Sequence, residues 1–448
     1  MTTSQTLPPA ISRSVLKYRD YRLFLLARLL VTAAIQIQSV AVGYQVYAMS
    51  HDKLALGFVG LAQFLPMLAL ILPAGDLADR YNRRVILVVA CIIEAAVAGG
   101  FFLLTVLDVH SLGLFYAVLA LFGVVRTLSA PASQSLVPLL VPPESLSRAI
   151  AWSSSAFQSA TIVGPALGGA LYVFGPDVAY GVCFALSIIV AALFGMIHAP
   201  LAARNVKADG STGVERAKEG VAYVKNRPII LGAISLDLFA VLLGGATALI
   251  PVYAQDILMV GSTGAGLMRT APAIGAAVTG LILGWKPLNK QTGPWMFGCV
   301  ALFGAATIVF GVSHNFALSL VALVVLGASD MISVFVRSTL IQMATPDHMR
   351  GRVSAVGMLF VGASNELGEF ESGVTASWFG TIPSVVIGGI GTLLVVAIWM
   401  GLFPDLRRVD RLTDVKPPEV KPPATRPMAP AAEQAGSVIR STESPSSL

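Results

Sequence analysis

Charged side chains are scarce in this sequence: Asp, Glu, Lys and Arg make up 12% of its 448 residues, whereas hydrophobic residues make up 55%. A soluble domain carries roughly 25% charged residues, so the composition excludes an ordinary soluble protein, as does the mean hydropathy of +0.77. Apolar runs of about 20 residues, enough for one membrane-spanning helix, recur along most of the chain. These runs show no period-two alternation, which excludes a transmembrane β-barrel.

Residues that carry catalytic or metal chemistry are also few. The three cysteines, Cys91, Cys183 and Cys299, lie inside apolar runs, which favours small core residues over disulfides or metal ligands. The histidines lack the spacing of metal ligands, and the phosphate loop G-x-x-x-x-G-K-[ST] is missing. We therefore expect no metal, no cofactor and no enzymatic activity, with energy drawn from an ion or solute gradient. The net charge of +6 is spread over connections between apolar runs, so no nucleic-acid partner is expected.

The predicted fold class is an all-α polytopic membrane protein with twelve transmembrane helices. These are expected over roughly residues 22–48, 54–75, 84–107, 111–131, 149–174, 179–199, 229–253, 261–284, 294–312, 315–343, 353–376 and 381–403. Basic residues gather before the first helix and after each even-numbered helix, and only Lys53 lies on the other side. Because positively charged loops stay inside, both termini are predicted to be cytoplasmic.

This layout predicts five segments. They are a cytoplasmic N-terminal segment (1–20), a six-helix bundle (21–199), a cytoplasmic linker (200–228), a second six-helix bundle (229–403) and a largely disordered cytoplasmic tail (404–448) rich in Pro, Ser and Ala. Within the linker, Thr212 and Glu215 form a capping-box pattern. That pattern predicts an amphipathic helix over 214–226 that lies at the inner membrane surface.

The two bundles repeat each other in sequence. The aligned pairs include Gly123 with Gly327, Arg126 with Asp330 and Gly169 with Gly373 at a shift of 204, and Gln63 with Arg269 and Pro66 with Pro272 at a shift of 206. The halves therefore align in the same orientation, as two parallel six-helix repeats. Such repeats place a ligand site near the bilayer midplane, between the halves.

The connection between the second and third helices carries a recognisable motif. The run Gly75-Asp76-Leu77-Ala78-Asp79-Arg80, followed by Arg83 and Arg84, resembles the loop 2–3 signature of the major facilitator superfamily of secondary transporters, with Asn82 where the superfamily has Gly. Residues 219–224, 249–254, 350–353, 364–369 and 403–408 resemble the enterobactin-exporter branch of that superfamily. The resemblance implies efflux of a siderophore or similar small molecule across a bacterial inner membrane in exchange for protons.

Ionisable residues inside the predicted helices mark the candidate site, because each costs several kcal/mol unless it is paired or hydrated. The predicted substrate and proton site comprises Arg28, Arg126, Asp237, Arg269, Asp330, Arg337, Glu366 and Glu369. In the superfamily the first, fourth, seventh and tenth helices line the central cavity, which implies that Arg126, Asp237 and Asp330 face it. Glu366 and Glu369 share one helix face, where two close carboxylates favour proton uptake. The alternative is that these residues form fixed ion pairs between helices.

A conformational latch is expected where the loop 2–3 motif meets the start of the eleventh helix. Its residues are Gly75, Asp79, Arg80, Arg83, Arg84, Arg350 and Arg352. Asp79 can accept hydrogen bonds from the unpaired N–H groups of that helix start, around 350–353. The resemblance implies that this contact holds the halves together when the cavity faces outward. The alternative is a plain positive cluster that sets topology.

Gly164, Pro165, Gly168 and Gly169 in the fifth helix predict a kink and close helix packing, because proline removes a backbone donor and glycine permits close approach. This GPxxGG run resembles a motif of exporters that exchange substrate for protons. The alternative is a packing motif that has no bearing on transport direction.

The leading functional hypothesis is a proton-coupled exporter of a siderophore-like or amphiphilic small molecule that works by alternating access. A broad-specificity multidrug/proton antiporter is the alternative among transporters, and a non-transporting sensor or scaffold on the same fold is the alternative of a different class. The expected partners are a small-molecule substrate, protons and membrane lipids. The protein is expected to be a monomer in the cell inner membrane.

Overall fold

The computed structural model describes residues 15–198, 213–286, 288 and 290–411, and these residues form helices joined by short turns. The helices of the first half are α1 (Arg19–Ser50), α2 (Lys53–Arg80), α3 (Arg83–Val106), α4 (Leu112–Leu140), α5 (Leu146–Tyr172) and α6 (Pro176–Gly195). A shorter helix, α7 (Gly213–Lys225), overlaps the amphipathic helix expected in the linker. The predicted disordered tail beyond residue 411 and the Thr212 capping position lie outside the described residues.

The second half follows the same order. Its helices are α8 (Pro228–Leu243), α9 (Gly261–Trp285), α10 (Thr292–Val312), α11 (Phe316–Ala344), α12 (Asp347–Phe379), α13 (Thr381–Leu402) and α14 (Pro404–Arg407). Among the described residues, ten helical stretches are long and apolar enough to cross a membrane. The more polar α5 and α12, with 27 and 33 residues, complete the twelve long helices. The predicted helical fold is confirmed.

The seventh predicted span is not one continuous helix. After α8 ends at Leu243, the chain continues as a 3-10 turn (Ala246–Leu249), one helical turn (Ile250–Val252) and a π turn (Tyr253–Ile257). A methyl group added at Gly245 would lie 2.7 Å from the Gly368 carbonyl oxygen, so this glycine lets the broken segment pack directly on α12. Broken helices occur at membrane depth where they are buried in protein or line a cavity.

Side-chain caps fix where two helices begin. The Asp52 carboxylate accepts the Leu54 N–H at 2.9 Å at the start of α2, and the Asn82 side chain accepts the Arg84 N–H at 3.0 Å at the start of α3. Asn is a strong N-cap residue because its side-chain oxygen satisfies an otherwise unpaired N–H. Asn82 in place of the usual glycine therefore defines the start of α3.

Helix packing follows the sequence repeat. In the first half, α1 packs on α5 and α6, α2 on α4, and α3 on α6; in the second, α8 packs on α12 and α13, α9 on α11, and α10 on α13. Two extensive contacts cross between the halves, α2 with α12 and α5 with α9. The sequence shifts relate α2 to α9 and α5 to α12, so the two crossings are equivalent.

Glycines at aligned positions make these crossings possible. A methyl group added at Gly169 would lie 3.0 Å from the Gly266 Cα, and one at Gly373 would lie 2.6 Å from the Gly57 Cα. Both distances are shorter than van der Waals contact. Small residues at helix crossings allow backbones to approach closely in a membrane, where packing replaces the hydrophobic effect.

The halves also meet beside the last turn of α1. The Tyr47 hydroxyl donates a hydrogen bond to the Asp256 carboxylate, and the Gln255 side chain donates to the Tyr44 carbonyl at 3.3 Å. Tyr47 and its aligned partner Tyr253 are buried. These contacts close the interface between the halves at this end.

Large apolar side chains cover the outside of the helix bundle. Leu103, Val163, Leu281, Val321 and Leu394 each expose more than half of their surface. An apolar exterior is what lipid contact requires, because lipid cannot satisfy polar groups.

We expect Gly327→Ala to destabilise the protein, although alanine normally stabilises a helix by about 0.5–1 kcal/mol relative to glycine. An added methyl group at Gly327 overlaps the Pro272 carbonyl, whereas one at Gly298 meets nothing within 4 Å. The thermal midpoint in detergent should fall for Gly327→Ala and stay the same or rise for Gly298→Ala. Equal midpoints for the two variants would contradict the close α9–α11 packing.

Candidate functional site

A cavity of about 380 Å³ lies between the two halves. Its walls come from α1, α2 and α4 in the first half and from α8 to α12, with the broken segment after α8, in the second. Five charged side chains line it: Arg126, Arg269, Asp330, Glu366 and Glu369. Ligand cavities in proteins are of this size and combine apolar walls with a few polar groups.

Arg126 connects the halves across this cavity. Its Nη1 lies 3.4 Å from Oε1 of Glu366, on α12, and 3.2 Å from Oε1 of Gln63, on α2. The Arg126 side chain is 47% exposed and that of Glu366 is 14% exposed. The pair is therefore reachable from the cavity, and a proton or ligand that enters there can compete for it.

A second ion pair lies beside the first. Arg269, on α9, places Nη2 3.8 Å from Oε1 of Glu369, with both side chains about a quarter exposed at 26% and 24%. Gly60 on α2 makes room for this arrangement, since an added methyl group there would lie 2.8 Å from the Glu369 Cβ. Because α2 has a glycine at this point, α12 can approach it closely, and the two glutamates of α12 face the first half.

Asp330 also lines the cavity, at the position that the repeat aligns with Arg126. Within the part of the chain that the structure describes, no cation pairs with it. The cavity walls therefore carry two guanidinium groups and three carboxylates, which leaves one carboxylate without a partner.

Asp237 and Arg337 lie elsewhere. They form an ion pair with each other between α8 and α11, and their side chains are only 7% and 10% exposed. Neither residue lines the central cavity. The fixed interhelical ion pair, which the sequence left open as an alternative, describes these two residues.

Arg28 lines a separate cavity of about 330 Å³ inside the first half, which it shares with the buried Glu94 and with Arg126. The predicted substrate and proton site did not include Glu94, nor the uncharged polar residues Gln36 and Asn365 of the central cavity. The repeat contained a signal for Gln63, because it aligns that residue with Arg269.

The loop 2–3 motif is more helical than expected. α2 continues through Gly75 to Arg80, and the connection to α3 consists of Tyr81 and Asn82. The side chains of Asp79 and Arg80 and the surroundings of Gly75 lie outside what the structure describes. The latch therefore stays a prediction.

The remaining arginines of the motif bind carbonyl oxygens rather than carboxylates. Arg83 donates to the Ser135 carbonyl at 3.4 Å, and Arg84 donates to the Gly195 carbonyl. Both acceptors belong to helices of the same half, and Gly195 is the last residue of α6, where cations are favoured by the unpaired carbonyls and the helix dipole.

The start of the eleventh span also differs from the expectation. α12 begins at Asp347, six residues before the predicted start at 353, and the Arg350 N–H already bonds to the Pro346 carbonyl at 3.1 Å. The Arg352 guanidinium lies 2.5 Å from the Glu219 carboxylate of α7. Arg352 is therefore paired with Glu219 of the linker helix in this structure. Residues 350–353 lie inside α12 and do not offer free N–H groups to Asp79.

The GPxxGG run of α5 makes close helix contacts. An added methyl group at Gly168 would lie 2.9 Å from the Ile37 Cα of α1, and Pro165 lies inside the helix with its carbonyl against Gly266 of α9. One face of the run thus packs within the first half and another packs across the interface.

Comparisons with known proteins agree with this architecture. The family model of the Major Facilitator Superfamily matches residues 24–369. The enterobactin exporter EntS of Citrobacter koseri is 25% identical over 417 residues, covering 89% of this chain and 95% of that protein. EntS of Escherichia coli O1:K1 / APEC is 24% identical over 414 residues, with the same coverage of 89% and 95%.

Solved structures share the fold at low sequence identity. A bacterial homologue of the human lysosomal transporter Spinster, in an inward-facing and occupied conformation, has a TM-score of 0.68 at 15% identity, covering 86% of this chain and 97% of that one. A D-xylose–proton symporter has a TM-score of 0.65 at 14% identity, covering 87% and 98%.

We predict that Asp237→Asn lowers the free energy of unfolding by about 3–5 kcal/mol, because it leaves the buried Arg337 without a counter-charge. Asp330→Asn, which breaks no ion pair, should change it little. Reversible unfolding in detergent measures both variants against the native protein. Equal losses would show that the two aspartates do not differ in the way their surroundings indicate.

Proposed function

The chain belongs to the major facilitator superfamily, and we propose that it is a secondary active transporter that exports a siderophore-like or amphiphilic small molecule by alternating access, in exchange for protons. The observation that carries this proposal is the cavity between the halves, with ionisable side chains from both on its walls. The proposal treats residues 21–199 and 229–403 as two bundles that move against each other.

The Arg126–Glu366 ion pair supports coupling between ligand and conformation. It joins the first half to the second across the cavity. A ligand shifts a conformational equilibrium only when it interacts differently with the two states. Whatever competes for Arg126 or Glu366 changes a contact between the halves, and therefore their relative stability.

The charge balance of the cavity supports proton coupling. Its three carboxylates, Asp330, Glu366 and Glu369, exceed its two guanidinium groups by one. One proton balances this excess, and a cost of several kcal/mol for an unpaired charge at this depth favours its uptake. Asp330 and Glu366 are the proposed proton carriers.

The contacts beside Tyr47 support an inward-facing state. They close the end of the interface at which α1 ends. With both termini in the cytoplasm of a bacterial cell, as the basic residues indicate, this closed end faces outward. Substrate then enters the cavity from the cytoplasm.

The enterobactin exporters among the relatives support a siderophore-like substrate. We expect cells lacking the protein to release several-fold less of one iron chelator under iron limitation, and overproducing cells to release more. Mass spectrometry of spent medium, with and without iron, measures this. Unchanged chelator release together with altered dye efflux would instead support a multidrug antiporter, and no change in either would favour a non-transporting protein.

Proton exchange is tested in inside-out vesicles with an acidic interior, and the substrate added is the chelator that the release experiment identifies. Its addition should release protons from vesicles with the native protein. Asp330→Asn and Glu366→Gln should abolish that release, because each removes a proposed proton carrier. Glu371→Gln is the matched control, since Glu371 lies on α12 outside the cavity lining. Full proton release by both cavity variants would contradict the assignment.

A further inference from the structure

The cavity inside the first half contains two ionisable groups that lack ionic partners. Arg28 of α1 and Glu94 of α3 both line it, and Glu94 is only 4% exposed. Within the described residues, no carboxylate forms an ion pair with Arg28, and Glu94 forms none either, although Arg126 lines the same cavity. The cavity holds about 330 Å³, which is enough for a drug-sized molecule.

The surroundings of Arg28 suit an incoming anion. Its Nη1 donates to the Ser133 hydroxyl at 3.1 Å, and the guanidinium lies 5.5 Å from the centre of the Phe157 ring. Its Nε is buried and has no hydrogen-bond partner. A buried donor left unpaired is unfavourable, and one hydroxyl does not balance a positive charge in the membrane. An anionic group beside the Arg28 guanidinium would balance its charge.

The rest of the cavity fits an amphiphilic ring system. Leu87, Val125 and Phe194 give apolar walls to the cavity that Arg28 and the buried Glu94 also line. A neighbouring apolar cavity of about 200 Å³ shares Ala90 and Val125 with it. Glu94 can only accept hydrogen bonds when ionised, so it suits a hydroxyl on the same ligand.

The position of this cavity relates it to the central one. Arg126 and Ile35 line both cavities. Arg28 lies in the part of α1 nearer to the N-terminal end, and the central cavity begins at Ile35, about two turns further along at 3.6 residues per turn. A ligand in the cavity of Arg28 therefore shares one wall residue, Arg126, with the central cavity.

We propose that the Arg28–Glu94 cavity is a second ligand site, which takes a hydroxylated aromatic organic anion with its anionic group on Arg28 and its hydroxyl on Glu94. This deepens the proposed function by naming a substrate class and a loading site before the central cavity. It rests on that function only for the direction of movement, since binding to this cavity does not require transport.

Equilibrium binding to the full-length protein in nanodiscs tests the site. The probes are fluorescent 6-hydroxy-2-naphthoate, its neutral carboxamide and its 6-methoxy analogue. Arg28→Gln should weaken binding of the naphthoate about tenfold or more and leave the carboxamide unchanged. Glu94→Gln should reduce the preference for the hydroxyl over the methoxy probe. Arg22→Gln, an exposed arginine on the same helix, is the matched control.

Several outcomes would overturn the proposal. The native protein could show no saturable binding of the naphthoate, or Arg28→Gln could bind it as tightly as Arg22→Gln does. Equal loss of the anionic and neutral probes in Arg28→Gln would mean that Arg28 is merely structural. Displacement of the naphthoate by phosphatidylglycerol but not by phosphatidylcholine in the nanodisc would assign the cavity to a lipid headgroup. Loss of transport with binding intact would count against the proposed function and leave this site standing.

Discussion

An ionised side chain inside a bilayer must be paired or hydrated, and this constraint organises the interior of the protein. Asp237 and Arg337 satisfy it as a buried pair between two helices of one half. Arg126 and Glu366 satisfy it as a partly exposed pair that joins the two halves. The first arrangement holds α8 and α11 together. The second is accessible from the cavity. Binding of a proton or a ligand to it would therefore change a contact between the halves.

The packing of the helices determines which charges face the cavity. Gly57 and Gly373 bring α2 against α12, and Gly169 and Gly266 bring α5 against α9 in the equivalent crossing. The α2–α12 crossing presents Glu366 and Glu369 to the first half. The charges of the cavity do not follow the repeat, because the positively charged Arg126 aligns with the negatively charged Asp330. A symmetric scaffold thus carries an asymmetric set of ionisable groups, which is what selective binding of an asymmetric ligand needs.

Hydropathy, basic residues and the repeat were enough to predict twelve helices in two matched sets of six, because the length of an apolar run and its spacing depend on local sequence alone. The partners of each charge could not be predicted in this way. Helix periodicity indicates the face on which Asp237 lies, but its pairing with Arg337 depends on how α8 and α11 cross. The apolar runs also do not give the helix ends. α12 starts directly after Pro346, well before the apolar run from which its start was predicted.

The central claim is that the Arg126–Glu366 pair joins the two halves across the cavity, so that its loss destabilises the state in which they are closed where α1 terminates. Double electron–electron resonance between spin labels at Phe174 and Trp378 tests it most directly, because these residues are 76% and 73% exposed and follow or end the equivalent helices α5 and α12. The labels would be placed in a protein whose three native cysteines are replaced. We expect Glu366→Gln to shift the distance distribution to longer values than in the native protein, while Glu371→Gln leaves it unchanged. Identical distributions for all three proteins would contradict the claim.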